Sequence, residues 1–148
     1  EYGEQYLTIE ALPGEGHSQE PLSLEDDLEN VKELVRTFPD RFAEKQNQWL
    51  KRLEHYKEAG KKVVLWGSGS KGVSFLTLLD KSDGIEYVVD INPHRQGYFM
   101  SGTGQKIVSP AFLAEYKPDV VIVMNEIYCD EIGQDLSKMG LNPEMVAL

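Results

Sequence analysis

The apolar positions of this chain follow two different rhythms. From Leu24 to Tyr56 they recur every three or four residues, at Leu24, Leu28, Val31, Val35, Phe38 and Phe42, then at Trp49, Leu53 and Tyr56. That spacing predicts one long amphipathic helix, with Pro39 a point where it would kink or split. Ser23 is placed to cap it, Asp26 follows three residues on, and Gly60 ends it with Lys57 near the negative end of the dipole. Beyond Gly60 the pattern changes to short, mostly apolar runs, at Lys62–Trp66, Ile85–Val89, Asp119–Met124 and Glu144–Leu148, which read as strands. The first and third suit strands buried in the sheet. Helical stretches through Val73–Leu79, Ser109–Tyr116 and Ile127–Met139 separate them, while Ile91 to Ile107 reads as an irregular, glycine-rich stretch. Strand–helix alternation implies a parallel sheet with right-handed crossovers.

The expected fold is therefore α/β: a Rossmann-like three-layer sandwich with a mostly parallel sheet over residues 61–148, preceded by a long amphipathic helix over 23–60. Residues 1–22 divide differently. Tyr6–Glu10 alternates in period two and reads as a short strand, and Pro13–Pro21 carries turn-formers without periodicity, as a linker does. The chain opens at Glu1 without methionine and runs straight into that strand, so it is expected to be a piece of a longer protein.

Charge narrows the partners. Residues 1–30 carry nine acids and no lysine or arginine, which leaves them at −9 of the overall −10. An acidic surface repels phosphate backbones, so nucleic acid is not an expected partner. No apolar run reaches the ~18 residues of a membrane span, and no basic-then-apolar leader is present. A soluble, cytoplasmic protein is the expectation. Cys129 is the single cysteine, which excludes an internal disulfide and a cysteine-based zinc cluster.

The sharpest local signal is the turn Gly67-Ser68-Gly69-Ser70-Lys71-Gly72. It follows a strand and opens a helix, and Asp90 ends the next strand 90 − 72 = 18 residues on. Glycine lets backbone approach a phosphate closely, amides at a helix start favour an anion, and Lys71 adds positive charge. Asp90 is placed to accept hydrogen bonds from ribose or sugar hydroxyls, and Arg95 to clamp a phosphate. The bland alternatives are that the glycines only make a tight turn, and that Asp90 and Asn92 only cap their loop. Asn125 and Tyr128 stand after the third strand, on the same side of the sheet, where Asn125 could cap the next helix. No triad, metal site or carboxylate pair assembles, and His94 has no partner ligand at metal spacing.

The segments Val64–Gly72, Val89–Pro93, Gln96-Gly97, Gly102–Gly104, Ile107–Pro110, Pro118-Asp119 and Asp130–Ile132 resemble, in order, the C-terminal domain of S-adenosylmethionine-dependent C-methyltransferases acting on nucleotide-linked deoxysugars. The resemblance covers about residues 24 to 148, and Tyr2–Leu7 is similar to the strand that joins this domain to the methyltransferase domain. In that family a small zinc-binding region and a methyl-donor domain come first, together with the tyrosine and histidine motif used for proton abstraction. The resemblance thus implies that S-adenosylmethionine, and zinc, belong to a full-length parent and not to this segment, which would be inactive alone. It also implies a domain that closes over a nucleotide-linked sugar, with the missing N-terminal methyltransferase domain as its partner. Gly67, Ser68, Gly69, Lys71 and Asp90 match the family pattern, and Ser70, Asn92, Arg95, Asn125 and Tyr128 complete the candidate substrate site. Two other readings stay open: an NAD- or nucleotide-binding Rossmann module, and a structural or dimerisation domain built on the long helix.

Overall fold

The protein was analysed as a computed structural model, which describes residues 8–10, 13–14, 26–79 and 84–148. It falls into two compact units, residues 1–43 and 44–148. The long helix α1 (Leu28–Glu58) contributes its first half to one and its second half to the other.

In the second unit, β1 (Val63–Trp66), β2 (Ile85–Val89), β3 (Lys106–Val108), β4 (Val120–Val123) and β5 (Glu144–Ala147) form one sheet in the order β3-β2-β1-β4-β5. Every pairing is parallel, as the apolar runs require. β1 and β4 are buried at every position and lie side by side, with Val63 opposite Val120 and Trp66 opposite Val123. Alternate residues therefore feed two cores. On one face Leu65, Val88 and Ile122 pack with Phe75 and Leu76 of α2 (Ser70–Leu79) and with Trp49, Leu53 and Tyr56 from the second half of α1. On the other, Val64, Val89 and Val121 pack with Leu113 of α3 (Leu113–Tyr116) and with Ile132 and Leu136 of α4 (Cys129–Lys138). This is the expected three-layer Rossmann-like sandwich. Fully burying one such Leu or Ile stabilises the fold by about 1.5–3 kcal/mol.

Four details depart from the pattern reading. β3 lies inside the stretch expected to be irregular; three residues at the sheet edge, paired with Tyr87–Val89, are too few to show a period. The helix expected to follow Ser23 begins at Leu28. Asp27 takes the capping position, its carbonyl accepting the Val31 amide at 2.9 Å, in keeping with the preference of aspartate for caps over helix interiors. Ser23 itself lies outside the described residues, as do Tyr6 and Leu7, and Thr8–Glu10 adopt no regular structure. Pro39 does not split α1, since it removes only one backbone donor from a helix of 31 residues. Finally, the expected helix after Asn125 opens with a 3-10 turn at Glu126–Tyr128 before α4 begins.

In the first unit, α1 leaves Leu28, Val35 and Phe38 well exposed, with Phe38 stacked on Phe42 at 5.7 Å. The stripe is thus one in sequence but divided in use: its second half forms core, its first half does not. Among the described residues no helix is long and apolar enough to cross a membrane.

Two glycines set how closely α2 approaches the sheet. Gly67 adopts a φ of +118°, where a Cβ would also press on the Met124 side chain at 3.2 Å. At Gly72 a Cβ would fall 2.3 Å from the Gly67 carbonyl oxygen, a backbone atom that cannot swing away. Gly72→Ala is therefore expected to destabilise the fold by about 1–3 kcal/mol, read as a lowered urea midpoint at unchanged slope. A wild-type midpoint would contradict the close packing.

α1 is also pinned to the edge strand. The Tyr56 hydroxyl donates to Glu144 Oε1 at 2.5 Å, and Lys61 Nζ to Oε2 at 3.0 Å. Burial, aided by that carboxylate, pushes Tyr56 up to about 12. The bonds from Tyr56 and then Lys61 hold Glu144 below its ordinary value. A depressed carboxyl stabilises the fold above its unfolded value, ~4.3, and ceases to do so as pH falls through the lower folded value. Glu144→Gln should consequently flatten the acid side of the stability–pH curve below about pH 4.5. Superimposable acid limbs for variant and wild type would argue against the pairing.

Candidate functional site

In parallel sheets of this type ligands bind beyond the carboxyl ends of the strands. Here β1 ends at Trp66, β2 at Val89 and β4 at Val123, and the chain continues from each into the loops that enclose one open cavity of about 580 Å³. Gly67, Gly69, Ser70, Lys71 and Gly72 form one wall and Asp90 and Ile91 a second, while Asn125 and Tyr128 lie on the side of α4. The turn is drawn across the strand ends by backbone bonds. The Gly67 amide donates to the Val89 carbonyl at 2.8 Å, and the Met124 amide to that of Trp66 at 3.1 Å. α2 then starts at Ser70, with the Val73 amide donating to the Gly69 carbonyl at 3.1 Å. The first N–H groups of a helix have no partner within it, so those around Gly69–Lys71 are oriented for an anion.

Asp90 is the best-connected side chain of the site. Its Oδ2 accepts from the Ser68 amide at 3.1 Å, from the Ser68 hydroxyl, and from Arg95 Nη1 at 3.2 Å. Its Oδ1 accepts the Asn92 amide at 2.8 Å. Even its backbone is engaged, the amide with the Val108 carbonyl and the carbonyl with Gln96 Nε2. Burial pushes this carboxyl up, but the bonds from Ser68, Asn92 and Arg95 together outweigh it and hold it below its ordinary value. Asn92 continues the pattern by accepting the His94 amide at 3.0 Å. Loop capping by Asp90 and Asn92 is therefore made in full. Arg95 is half exposed and leans over the turn; a Cβ on Gly69 would lie 3.7 Å from its Nη1.

Seven of the ten candidate residues line the cavity: Gly67, Gly69, Ser70, Lys71, Asp90, Asn125 and Tyr128. Ser68 is buried beneath it, and Asn92 and Arg95 stand behind Asp90. Asn125 occupies the cap position before Glu126 with extended backbone, but its side chain makes no capping bond, contrary to expectation. Pattern reading missed Trp66, Met124 and Ile132, the apolar floor, and the acids Glu131 and Asp135 on α4. The four-residue spacing of those acids was the available signal. A larger open groove, about 1050 Å³, runs along α4 and β5, from Glu126 and Ala147 to Asn142 and Pro143.

Among the described residues, the cavity lining holds no histidine and no cysteine. Cys129 lies in the neighbouring groove along α4, where burial, then Glu126 and Asp130, push its thiol up. Among the described residues no group of histidine, cysteine and carboxylates could hold a metal ion. The lining combines the glycine-turn backbone and Lys71 with apolar Trp66, Met124 and Ile132 and the carboxylates of Asp90, Glu131 and Asp135, while Arg95 lies outside it beside Gly69.

Several solved structures are similar to this chain. A UDP-D-quinovosamine 4-dehydrogenase from Vibrio fischeri is 18% identical, with a TM-score of 0.47 over 60% of this chain and 77% of that one. RSP, a Rex-family repressor, is 16% identical with a TM-score of 0.40, over 58% of this chain and 51% of the repressor. The chain thus spans about half of that repressor's length. RSP in complex with beta-NADH is 15% identical, with a TM-score of 0.42 over 84% of this chain and 80% of that one. No curated protein matches. The family model of the C-methyltransferase C-terminal domain, in contrast, matches residues 19–142, which takes in α1, the glycine turn, Asp90 and α4. The chain belongs to the C-methyltransferase C-terminal domain family.

Proposed function

We propose that this chain is the substrate-recognition domain of an S-adenosylmethionine-dependent C-methyltransferase and cradles a nucleotide-linked sugar over the carboxyl ends of its strands. The observation that carries this reading is the open start of α2 at a cavity lined by Lys71, with Arg95 close to the turn at Gly69. A diphosphate matches that end in charge and in hydrogen-bonding sense. The sugar would extend over Trp66, Met124 and Ile132 toward Asn125 and Tyr128. The methyl donor, zinc and the catalytic base belong to the parent enzyme's other domains. The exposed apolar face of α1, at Leu28, Val35 and Phe38, suits contact with such a methyltransferase domain.

Amide chemical-shift mapping with uridine diphosphate tests the reading. Shifts are expected at Gly67–Lys71 and at Arg95; shifts confined to α1, or to the amino ends of the strands, would favour a structural role instead. Affinity should be weak, because the parent's other domain would supply the opposite wall.

The same reading holds that S-adenosylmethionine does not bind here. Calorimetric titration of the chain is expected to show no heat of binding, and a micromolar dissociation constant would overturn that assignment.

A further inference from the structure

An acid at the end of the second strand of a dinucleotide-binding fold accepts hydrogen bonds from a ribose 2′-hydroxyl. Asp90 stands at that position, and its surroundings give it different work. An ionised carboxylate has about four lone-pair sites for hydrogen bonds. Asp90 receives four donors from its own chain: the Ser68 amide, the Ser68 hydroxyl, the Asn92 amide and Arg95 Nη1. Its side chain is 10% exposed. Three of the four fill Oδ2 and the Asn92 amide takes one site of Oδ1, so a ribose hydroxyl has only the remaining Oδ1 site, on a carboxylate that is nearly buried.

Arg95 is in the opposite position. A guanidinium carries five N–H donors in a fixed fork. One contact goes to Asp90, the side chain is 48% exposed, and Nη1 approaches the turn at Gly69. Among the described residues the guanidinium's one bond is to Asp90, so Nε and Nη2 keep donors for a ligand.

We infer that Asp90 is a positioning residue, which shapes the glycine turn through Ser68 and holds Arg95 over it, while Arg95 contacts the anion and no side chain at the β2 end reads the ribose hydroxyls. This rests on the diphosphate site proposed above. It assigns the site a specificity unlike that of a nicotinamide dinucleotide module: indifference to the ribose 2′-hydroxyl.

The test is calorimetric titration of the chain with uridine diphosphate and with 2′-deoxyuridine diphosphate. For the wild type the two dissociation constants should agree within about twofold, a comparison that needs no variant. Asp90→Asn and Arg95→Ala should each weaken both ligands by roughly tenfold, the range of a hydrogen bond to a charged group. The double variant should be weakened by less than the two single losses combined, because part of what Asp90 does is to hold Arg95. Circular dichroism confirms that the variants fold. If the deoxy ligand binds tenfold more weakly to the wild type and Asp90→Asn removes that difference, Asp90 reads ribose and the inference fails. It fails equally if Asp90→Asn leaves affinity unchanged or if the two substitutions add. Absence of diphosphate binding by the wild type would overturn the functional reading together with the inference.

Discussion

The carboxyl edge of the sheet is organised around the Asp90 side chain. A carboxylate removed from water is costly unless its oxygens are fully bonded, so the chain around it must deliver donors at fixed places. Ser68 and Asn92 deliver them from the ends of two different loops, and Arg95 adds a charge-assisted bond. In meeting that demand the glycine turn is drawn against the end of β2 and Arg95 is brought over Gly69. The geometry that makes an anion site plausible is thus present before any ligand arrives, which lowers the ordering cost of binding.

Behind that edge, the sheet supplies a rigid base. β1 and β4 are buried throughout and adjacent, leaving polar groups only the strand ends to occupy. Gly72 allows α2 to approach until its backbone meets the Gly67 carbonyl, so that the helix start and the strand end share one small volume. The second half of α1 seals one face through Trp49, Leu53 and Tyr56, and the Tyr56–Glu144 bond fastens it to the sheet edge.

Much of the fold was legible in the sequence because β1 and β4 are continuous apolar runs, β2 and β5 are mostly apolar, and the intervening helices carry clear periodicity. β3 was not, since three residues at an edge show no pattern and depend on Tyr87–Val89 for their conformation. Asp27 rather than Ser23 starts α1, and choosing between neighbouring capping residues requires the tertiary context. At the site, spacing placed Gly67–Lys71, Asp90, Asn125 and Tyr128 at one edge. The role of Asp90 stayed hidden because three of its donors come from Ser68, 22 residues away, and from Arg95. Glu131 and Asp135 looked like ordinary surface acids of a helix, and only the fold turns them toward the cavity.

Residue-resolved hydrogen exchange on the ligand-free chain tests most directly whether the Asp90 carboxylate builds this edge. The Ser68 and Asn92 amides should be protected in the wild type and lose that protection in Asp90→Ala, while core amides of β1 and β4 stay slow in both. Ser68 and Asn92 amides that exchange in the wild type as fast as an unfolded chain would contradict the account.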